Sequence, residues 1–386
     1  MAIAGEHIDL ERAGNPVPCV HGPPPIEEVE DLAARCRRLL AGTRAAAGPY
    51  PAEPQHSWGR AIAGYLYLGG LGAGAFAVAV ILEWLGFGLS APHGSLGGGP
   101  VWDWPKALVL WGPLVAAAGA SLLVFDLGRN WFLFFTAGRN PRTSWMARGF
   151  SILLTFIVTG GVVAAVAVFA PQSRVSTLVL WHVVEAIAVA AALGTAFYTG
   201  ILLRSMRFIP AWNTPWLPFL FLASALSAGS MGVLLGSSVA GGLGADPASA
   251  ESLVQAIEVL EPALIVAEAL LLALYVHSLV GAEPEDRMAA TMLLRGPWRY
   301  PFWIGVVGGA LALPLLLDTA SIFAPSQAPG IVAALGVLVG GLILRLAVLG
   351  IGIKERPPLY RFGEWRARHT LDPRLRREVE VMARRC

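Results

Sequence analysis

The sequence predicts an all-α integral membrane protein with eight transmembrane helices, and three observations support this fold class. Hydrophobic residues make up 55% of the 386 residues. Charged residues make up only 14%, well below the roughly 25% of an average soluble domain. The apolar residues are grouped into long runs, and most Lys and Arg residues lie between alternate runs or in the tails. A soluble protein of this length would need a larger polar surface than this composition provides.

Eight apolar segments are long enough to cross the hydrocarbon core as helices, which takes about 20 residues each. The seventh contains Pro314, which is tolerated when neighbouring helices satisfy the freed backbone carbonyl. The predicted spans are residues 60–85, 106–126, 148–170, 178–203, 216–240, 254–280, 302–320 and 329–353. Together they form one membrane domain, residues 58–353, in which similar small-residue runs in spans one and five indicate two four-helix bundles.

The distribution of positive charge predicts the orientation of the spans. All but three of the 28 Lys and Arg residues lie on the same side of the membrane as the N-terminus when the spans alternate in direction. The exceptions are Lys106 and Arg174 on the other side and Arg345 within span eight. Because positive loops are retained in the cytoplasm, both termini are predicted to be cytoplasmic.

Two polar tails flank the membrane domain. The N-terminal tail, residues 1–57, has no apolar run typical of a signal peptide. Its residues 26–41 are predicted to form an amphipathic helix, which either rests on the membrane domain or docks a cytoplasmic partner. The C-terminal tail, residues 354–386, is basic. All three cysteines lie in these tails without a CxxC pair, which excludes a ferredoxin motif and a Cys-rich zinc site.

Small residues crowd spans one and five. The richest stretches run from Gly69 to Gly74 in span one and from Ser227 to Gly232 in span five. Helices in lipid associate through close packing rather than through a hydrophobic driving force. Both stretches are therefore predicted to be packing seams between helices.

Two tyrosines are predicted at the same depth near the cytoplasmic ends of their spans. Tyr65 in span one and Tyr198 in span four would each lie roughly 10 Å inside the membrane. Asp126 ends span two on the same side, and Arg129 follows it. Hydrogen-bond donors beside a carboxylate are what a quinone head group requires. Tyrosine is also common in interfacial belts, so the spacing alone leaves both interpretations open.

Ionisable residues inside the spans are functional candidates by default. Glu268 in span six and Arg345 in span eight have matching depths and are predicted to form a buried pair. Two further pairs near the outer side, each with partners three residues apart, are Glu258 with Glu261 and His182 with Glu185. Each of these groups is interpreted as either a structural ion pair or part of a proton path.

Several stretches resemble the polysulfide-reductase membrane-subunit family, also called NrfD-like or PsrC-like. The resemblance covers residues 58–353, and the order and spacing of the stretches carry it. They are Ala61–Gly70, Asp126–Arg129, Asn140–Met146, Tyr198–Leu203, Ile209–Pro215, Phe221–Leu226, Phe302–Val306 and Gly340–Arg345.

The resemblance implies a quinone-reactive membrane anchor of a multi-subunit respiratory oxidoreductase, without a catalytic centre of its own. Such a subunit exchanges electrons between a docked iron–sulfur subunit and menaquinone or ubiquinone. It implies no haem, metal or iron–sulfur cluster in this chain. The family's quinone-contacting positions fall on Tyr65 and Tyr198, although some relatives carry histidine at the first. Asp126 falls where a family carboxylate lies, and Arg129 adjoins it.

The resemblance also implies partners and a location. The partners are a four-cluster ferredoxin-like subunit and a catalytic subunit, for which a molybdopterin enzyme is one candidate. With the charge distribution, they are expected on the cytoplasmic face of a prokaryotic inner membrane. Lipid and quinone are the other expected partners, and nucleic acid is not one.

Two other classes of membrane protein share some of these features. A secondary transporter, or a proton conductor without a quinone site, would also suit eight spans and buried carboxylates. A di-haem cytochrome b is excluded, because only His182 and His277 lie in spans and they fall at opposite ends of the membrane.

Overall fold

The computed structural model describes residue 55 and residues 58–85, 104–126, 145–169, 179–242, 251–281, 284–321 and 328–354. These residues form helices joined by short connections, and none of them belongs to a β-sheet. The helices are α1 (Arg60–Trp84), α2 (Trp104–Asp126), α3 (Trp145–Phe169), α4 (Val179–Arg204), α5 (Trp216–Gly242), α6 (Glu251–Gly281), α7 (Pro284–Leu294), a π-helix (Pro301–Ala312), α8 (Leu313–Ser321) and α9 (Ala328–Gly350). The predicted helix at 26–41 lies outside the described residues.

Each predicted span coincides with a helix, and the ends differ by at most three residues. Among the described residues, seven helical stretches are long and apolar enough to cross a membrane. The remaining predicted span corresponds to α2, a 23-residue helix in which the side chains of Trp111–Leu123 are described, and this apolar stretch alone is shorter than the other seven. A short 3₁₀ turn, Pro210–Trp212, joins α4 to α5. The amphipathic α7 follows α6 and precedes the seventh span.

Proline shapes the seventh span. Its first part, Pro301–Ala312, is π-helical, and the N–H of Leu313 bonds to the carbonyl of Gly308, five residues earlier. Pro314 then stands at the second position of α8 and has no N–H to donate. In a π-helix each N–H bonds to the carbonyl five residues earlier instead of four. The π-helical stretch therefore changes which backbone carbonyl lacks a partner where the proline stands. The sequence predicted this span as the interrupted one, and the structure confirms it.

The small-residue runs of α1 and α5 pack against each other. A Cβ atom at Gly74 would lie 1.9 Å from the carbonyl oxygen of Ala225, and one at Gly229 would lie 2.2 Å from the nitrogen of Ala75. The two backbones are therefore in direct contact. The prediction that these runs are packing seams is confirmed.

Helix α1 lies at the centre of the fold, in contact with α2, α4, α5 and α9. The first four helices pack on one another through α1–α2, α2–α3, α3–α4 and α1–α4 contacts. The helices that follow pack through α5–α6, α5–α9 and contacts of α9 with the π-helix. Side chains of α1 can thus face the first set of helices or the second.

The end of α9 is closed by side chains from distant parts of the sequence. The Trp212 indole, fully buried, donates to the carbonyl of Val348 across 2.8 Å. The Gln55 amide donates to the carbonyl of Leu349 across 3.0 Å, and its backbone N–H bonds to Gly352. These bonds satisfy carbonyls that the last helical turn leaves without partners. They bring the start of α1, the 3₁₀ turn and the end of α9 to one end of the molecule.

Candidate functional site

Tyr198 on α4 is buried against the first turn of α3. Its hydroxyl donates to the backbone carbonyl of Trp145 across 2.5 Å. The same hydroxyl is in hydrogen-bonding contact with the backbone of Gly149, four residues further along α3. In an α-helix these two backbone groups would pair with each other. Tyr198 therefore fixes the beginning of α3 to α4.

Gly149 makes this contact sterically possible. A Cβ atom there would lie 1.8 Å from Cε1 of Tyr198 and 2.4 Å from its hydroxyl oxygen. No other residue type could stand at this position while the ring keeps its place. Gly149 was not among the predicted site residues. The sequence around it does not distinguish it from the other 43 glycines.

Tyr65 on α1 lies close enough to Tyr198 for the two phenol groups to interact electrostatically. Its side chain is 5% exposed. Within the described residues, the Tyr65 hydroxyl has no hydrogen-bond partner. The structure thus brings the two predicted tyrosines together and places their hydroxyls in different hydrogen-bonding surroundings. The hydroxyl of Tyr198 is engaged by protein backbone, whereas that of Tyr65 is available as a donor.

The two remaining residues of the predicted quinone group are less fully defined. Asp126 is the last residue of α2, as predicted, and the position of its side chain lies outside the description. Arg129 lies outside the described residues. Their roles stay predictions.

A second polar group lies where α1, α5, α6 and α9 meet. The guanidinium of Arg345, 1% exposed, donates to the hydroxyl of Ser224 across 2.6 Å and to the carbonyl of Gly341 across 2.9 Å. Glu268, which is 2% exposed, lies close enough to Ser224 and Arg345 to interact electrostatically with both. The predicted Glu268–Arg345 pair is therefore an electrostatic interaction between neighbouring side chains, and among the described residues no direct ion pair within 4 Å joins the two.

Arg345 also contacts two aromatic rings. Its guanidinium carbon lies 5.2 Å from the centre of the Phe221 ring and 5.7 Å from that of Tyr67. The Tyr67 hydroxyl donates to the carbonyl of Leu338 across 2.8 Å. Tyr67 is two residues from Tyr65 on α1, so Arg345 touches the helix that carries the first polar group.

Glu261 is fully buried between α5 and α6. One of its oxygens accepts a hydrogen bond of 2.7 Å from Ser227, and the other accepts one from Ser230. The sequence predicted these serines only as small packing residues. Glu261 interacts electrostatically with Glu268 and with Asp318 of α8. Glu258, exposed at the helix surface, interacts with the same aspartate.

His182 and Glu185 of α4 form the contact that their spacing predicted. Nδ1 of the imidazole lies 3.1 Å from a carboxylate oxygen of Glu185. The carboxylate is buried and also accepts a hydrogen bond of 3.4 Å from the indole of Trp84 at the end of α1. The group therefore joins the ends of α1 and α4 that lie far from Tyr65 and Tyr198.

An apolar cavity of about 350 Å³ lies between α1, α2 and α5. Its lining side chains are apolar and include Leu71 and Ala75 of α1, Trp111 of α2 and Val233 of α5. Trp111 is 63% exposed, so the cavity lies beside the outer surface of the helices. Among the described residues there is no cluster of three or more His, Cys, Asp or Glu side chains that could hold a metal ion.

Long apolar helices with ionisable side chains buried between them define a multi-pass α-helical membrane protein. The family described as "Polysulphide reductase, NrfD" matches residues 51–354, which is most of the sequence. The protein belongs to this family. The resemblance predicted from the sequence stretches is thereby confirmed.

Three similar proteins agree with this assignment. The C subunit of polysulfide reductase from Wolinella succinogenes is 33% identical over 313 residues, which cover 76% of this sequence and 94% of that protein. Protein NrfD of Escherichia coli is 29% identical over 322 residues, with the same two coverages. A NrfD homologue of Haemophilus influenzae is 30% identical over 284 residues, which cover 69% of this sequence and 84% of that protein.

Proposed function

We propose that this protein is the quinone-reactive membrane anchor subunit of a respiratory oxidoreductase. The observation that carries the proposal is the hydroxyl of Tyr65, a residue only 5% exposed; this hydroxyl lacks a partner among the described residues and lies beside Tyr198. A hydroxyl on a mostly buried side chain that no protein group engages is available to donate a hydrogen bond to a ligand. Membership of a family named after polysulfide reductase supports redox chemistry over transport.

The chemistry required of the site is modest. Reduction of a quinone adds two electrons and two protons, and negative charge develops on the carbonyl oxygens before the protons arrive. Tyr65 would donate a hydrogen bond to one carbonyl and stabilise that charge. Tyr198 would hold α3 against α4 and so shape the wall behind the ring. Asp126 and Arg129 would lie at the same end of the helices, where a carboxylate can exchange protons with water.

The apolar cavity between α1, α2 and α5 would accommodate the isoprenoid tail. Leu71 is six residues from Tyr65 along α1, which is about 9 Å of helix, and the cavity begins there. Hydrocarbon-lined space of this size is what a prenyl group requires. The head group and tail would then occupy neighbouring segments of the same helix.

We also propose eight spans in two four-helix bundles, with α2 as the second span and both termini in the cytoplasm. The proposal is supported by the charge distribution, with only Lys106 and Arg174 on the outer side. The iron–sulfur subunit and the catalytic subunit would then dock on the cytoplasmic face, at the end where Tyr65 and Tyr198 lie. A reporter fused after Cys386 should report a cytoplasmic location, and an extracytoplasmic signal would contradict this orientation.

Proton translocation is a further part of the proposal. Glu258, Asp318, Glu261 and Glu268 interact in sequence across the second set of helices. Arg345 follows Glu268 and contacts α1. This series of ionisable side chains would let proton movement respond to the redox state of a quinone that is bound beside α1. His182 and Glu185 form a separate pair, for which a structural role in joining α4 to α1 is proposed.

The decisive experiment for quinone binding is the Tyr65→Phe variant of the assembled complex. Losing one hydrogen bond to a carbonyl that gains charge costs about 1.5–3 kcal/mol, or roughly a tenfold to hundredfold decrease in quinone-linked turnover. Dye-linked activity of the catalytic partner should be retained. Tyr67→Phe is the matched control, because its hydroxyl bonds to protein backbone. Equal quinone kinetics in the wild type and Tyr65→Phe would remove Tyr65 from the site.

A further inference from the structure

The carboxyl group of Glu261 is buried without a cation beside it. The residue is 0% exposed, and among the described residues no Lys, Arg or His side chain forms an ion pair with it. The ionisable groups that face it are Glu268 on its own helix and Asp318 of α8, both acidic. Helix α5, which packs on its other side, carries no ionisable side chain. An ionised carboxylate here would be a buried, uncompensated charge, so these surroundings favour the neutral acid.

Three close contacts between oxygen atoms surround this carboxyl group. The Ser227 hydroxyl lies 2.7 Å from one carboxyl oxygen, and the Ser230 hydroxyl is in hydrogen-bonding contact with the other. The Ser230 oxygen also lies 2.9 Å from the backbone carbonyl of Ser227, three residues earlier on α5. Each contact needs a hydrogen of its own, and the two hydroxyls supply only two. A proton on Glu261 supplies the third.

With that proton in place, each contact is a complete hydrogen bond. Ser227 donates to the carbonyl oxygen of the Glu261 carboxyl group. The carboxyl O–H donates to the oxygen of Ser230. Ser230 in turn donates to the backbone carbonyl of Ser227, a common bond for serine in helices. Burial and the count of hydrogens therefore lead independently to the same protonation state.

We propose that Glu261 is a proton-binding site, a neutral carboxylic acid that Ser227 and Ser230 stabilise and allow to release its proton. On release, the Ser230 hydroxyl turns its hydrogen from the Ser227 carbonyl to the oxygen of Glu261 that has lost the proton. The bond from Ser227 is kept, so the ionised form has two hydroxyl donors. Glu261 loses one proton to water, and neither serine gains or loses a hydrogen. The use of the site rests on the proposed proton translocation, which the inference deepens.

Infrared difference spectroscopy of the intact complex tests the site across a step from neutral to alkaline pH, with no quinone added. We expect the wild type to lose the carbonyl stretch of a protonated carboxyl group, and Glu261→Gln to lack this signal. The glutamine amide can donate to Ser230 and accept from Ser227, so this variant should fold. Glu258→Gln is the matched control, because Glu258 is exposed on the same helix, and the signal should remain.

A serine variant tests the hydrogen bonds of the site. In Ser230→Ala the carbonyl stretch should move to higher frequency, because the carboxyl O–H loses the oxygen that accepts its hydrogen bond. Ser237→Ala is the matched control on α5, since its hydroxyl bonds to its own helix at Leu234. The control should keep the wild-type frequency.

Three results would overturn the inference: no signal in the wild type, the same signal in Glu261→Gln, or the wild-type frequency in Ser230→Ala. Proton release during quinone turnover is measured separately in Glu261→Gln. Retained turnover with reduced proton release would support the use of the site in translocation. Proton release equal to that of the wild type would contradict the proposed proton path through Glu261, while the infrared signal would still support the proton-binding site.

Discussion

The ring of Tyr198 packs directly on the backbone of Gly149, so closely that a methyl group at residue 149 would stand 1.8 Å from the ring. The contact joins α4 to the first turn of α3 beside Tyr65. It is a steric requirement placed on one residue by another 49 positions away. The first prediction follows from it.

Gly149→Ala should displace the Tyr198 ring and break its bond to the Trp145 carbonyl. Forcing an extra carbon into such a packed position costs about 1–3 kcal/mol, and we expect both lower thermal stability and impaired quinone turnover. Gly161→Ala on the same helix is the control, because a Cβ there meets nothing within 4 Å. Thermal unfolding and quinone kinetics of both variants provide the test, and equal behaviour would show that the ring has room to move.

Tyr198→Phe should reduce quinone-linked turnover at least tenfold while dye-linked activity of the partner survives. The hydroxyl is bonded to Trp145, so its loss loosens the start of α3 where the proposed site lies. A loss of about 1.4 kcal/mol in transition-state stabilisation corresponds to the tenfold decrease. Steady-state kinetics with quinone and with a dye measure the two activities. Unchanged quinone kinetics in an assembled variant would return Tyr198 to the role of an interfacial belt residue.

Gly232→Leu should fill the apolar cavity without disturbing the backbone. A Cβ at Gly232 lies 3.4 Å from Leu71, an ordinary contact, and the longer side chain would extend into the cavity. We expect a higher KM for a quinone with a long isoprenoid tail and no change for an analogue without one. Gly232→Ala, which adds a single methyl group, is the matched control. An equal effect on both quinones would place the tail elsewhere.

The helices could be predicted from the sequence because each apolar run is long and is bounded by charge or proline. The sequence also predicted that Tyr65 lies near Tyr198 and Glu268 near Arg345, because depth in the membrane follows from position along a helix. What depth cannot give is rotation about the helix axis. Whether Glu268 and Arg345 form a direct ion pair depends on that rotation.

The serines of α5 illustrate the same limit from the other direction. Ser224, Ser227 and Ser230 recur every three residues, a spacing that suits a packing seam and a hydrogen-bonding face equally well. Only the packing of α6 against this face distinguishes the two uses. Gly149 left no signal at all, because its requirement comes from a ring on another helix.

The last prediction concerns Glu268 and Arg345 as a pair. Removing one partner of a buried pair costs about 3–5 kcal/mol, because the other charge is left uncompensated. Glu268→Gln alone and Arg345→Met alone should therefore both lower the yield of folded complex.

The double variant should recover much of that loss, since neither charge remains and Ser224 can bond to its own helix. Detergent-solubilised yield and thermal unfolding of the four proteins in this cycle measure the coupling. Ser238→Ala, whose hydroxyl bonds to the carbonyl of Leu234, gives the baseline for a polar change on α5. A double variant no better than the worse single would show that Glu268 and Arg345 are not partners. Single variants that fold normally but lose proton translocation would instead assign the pair to the proton path alone.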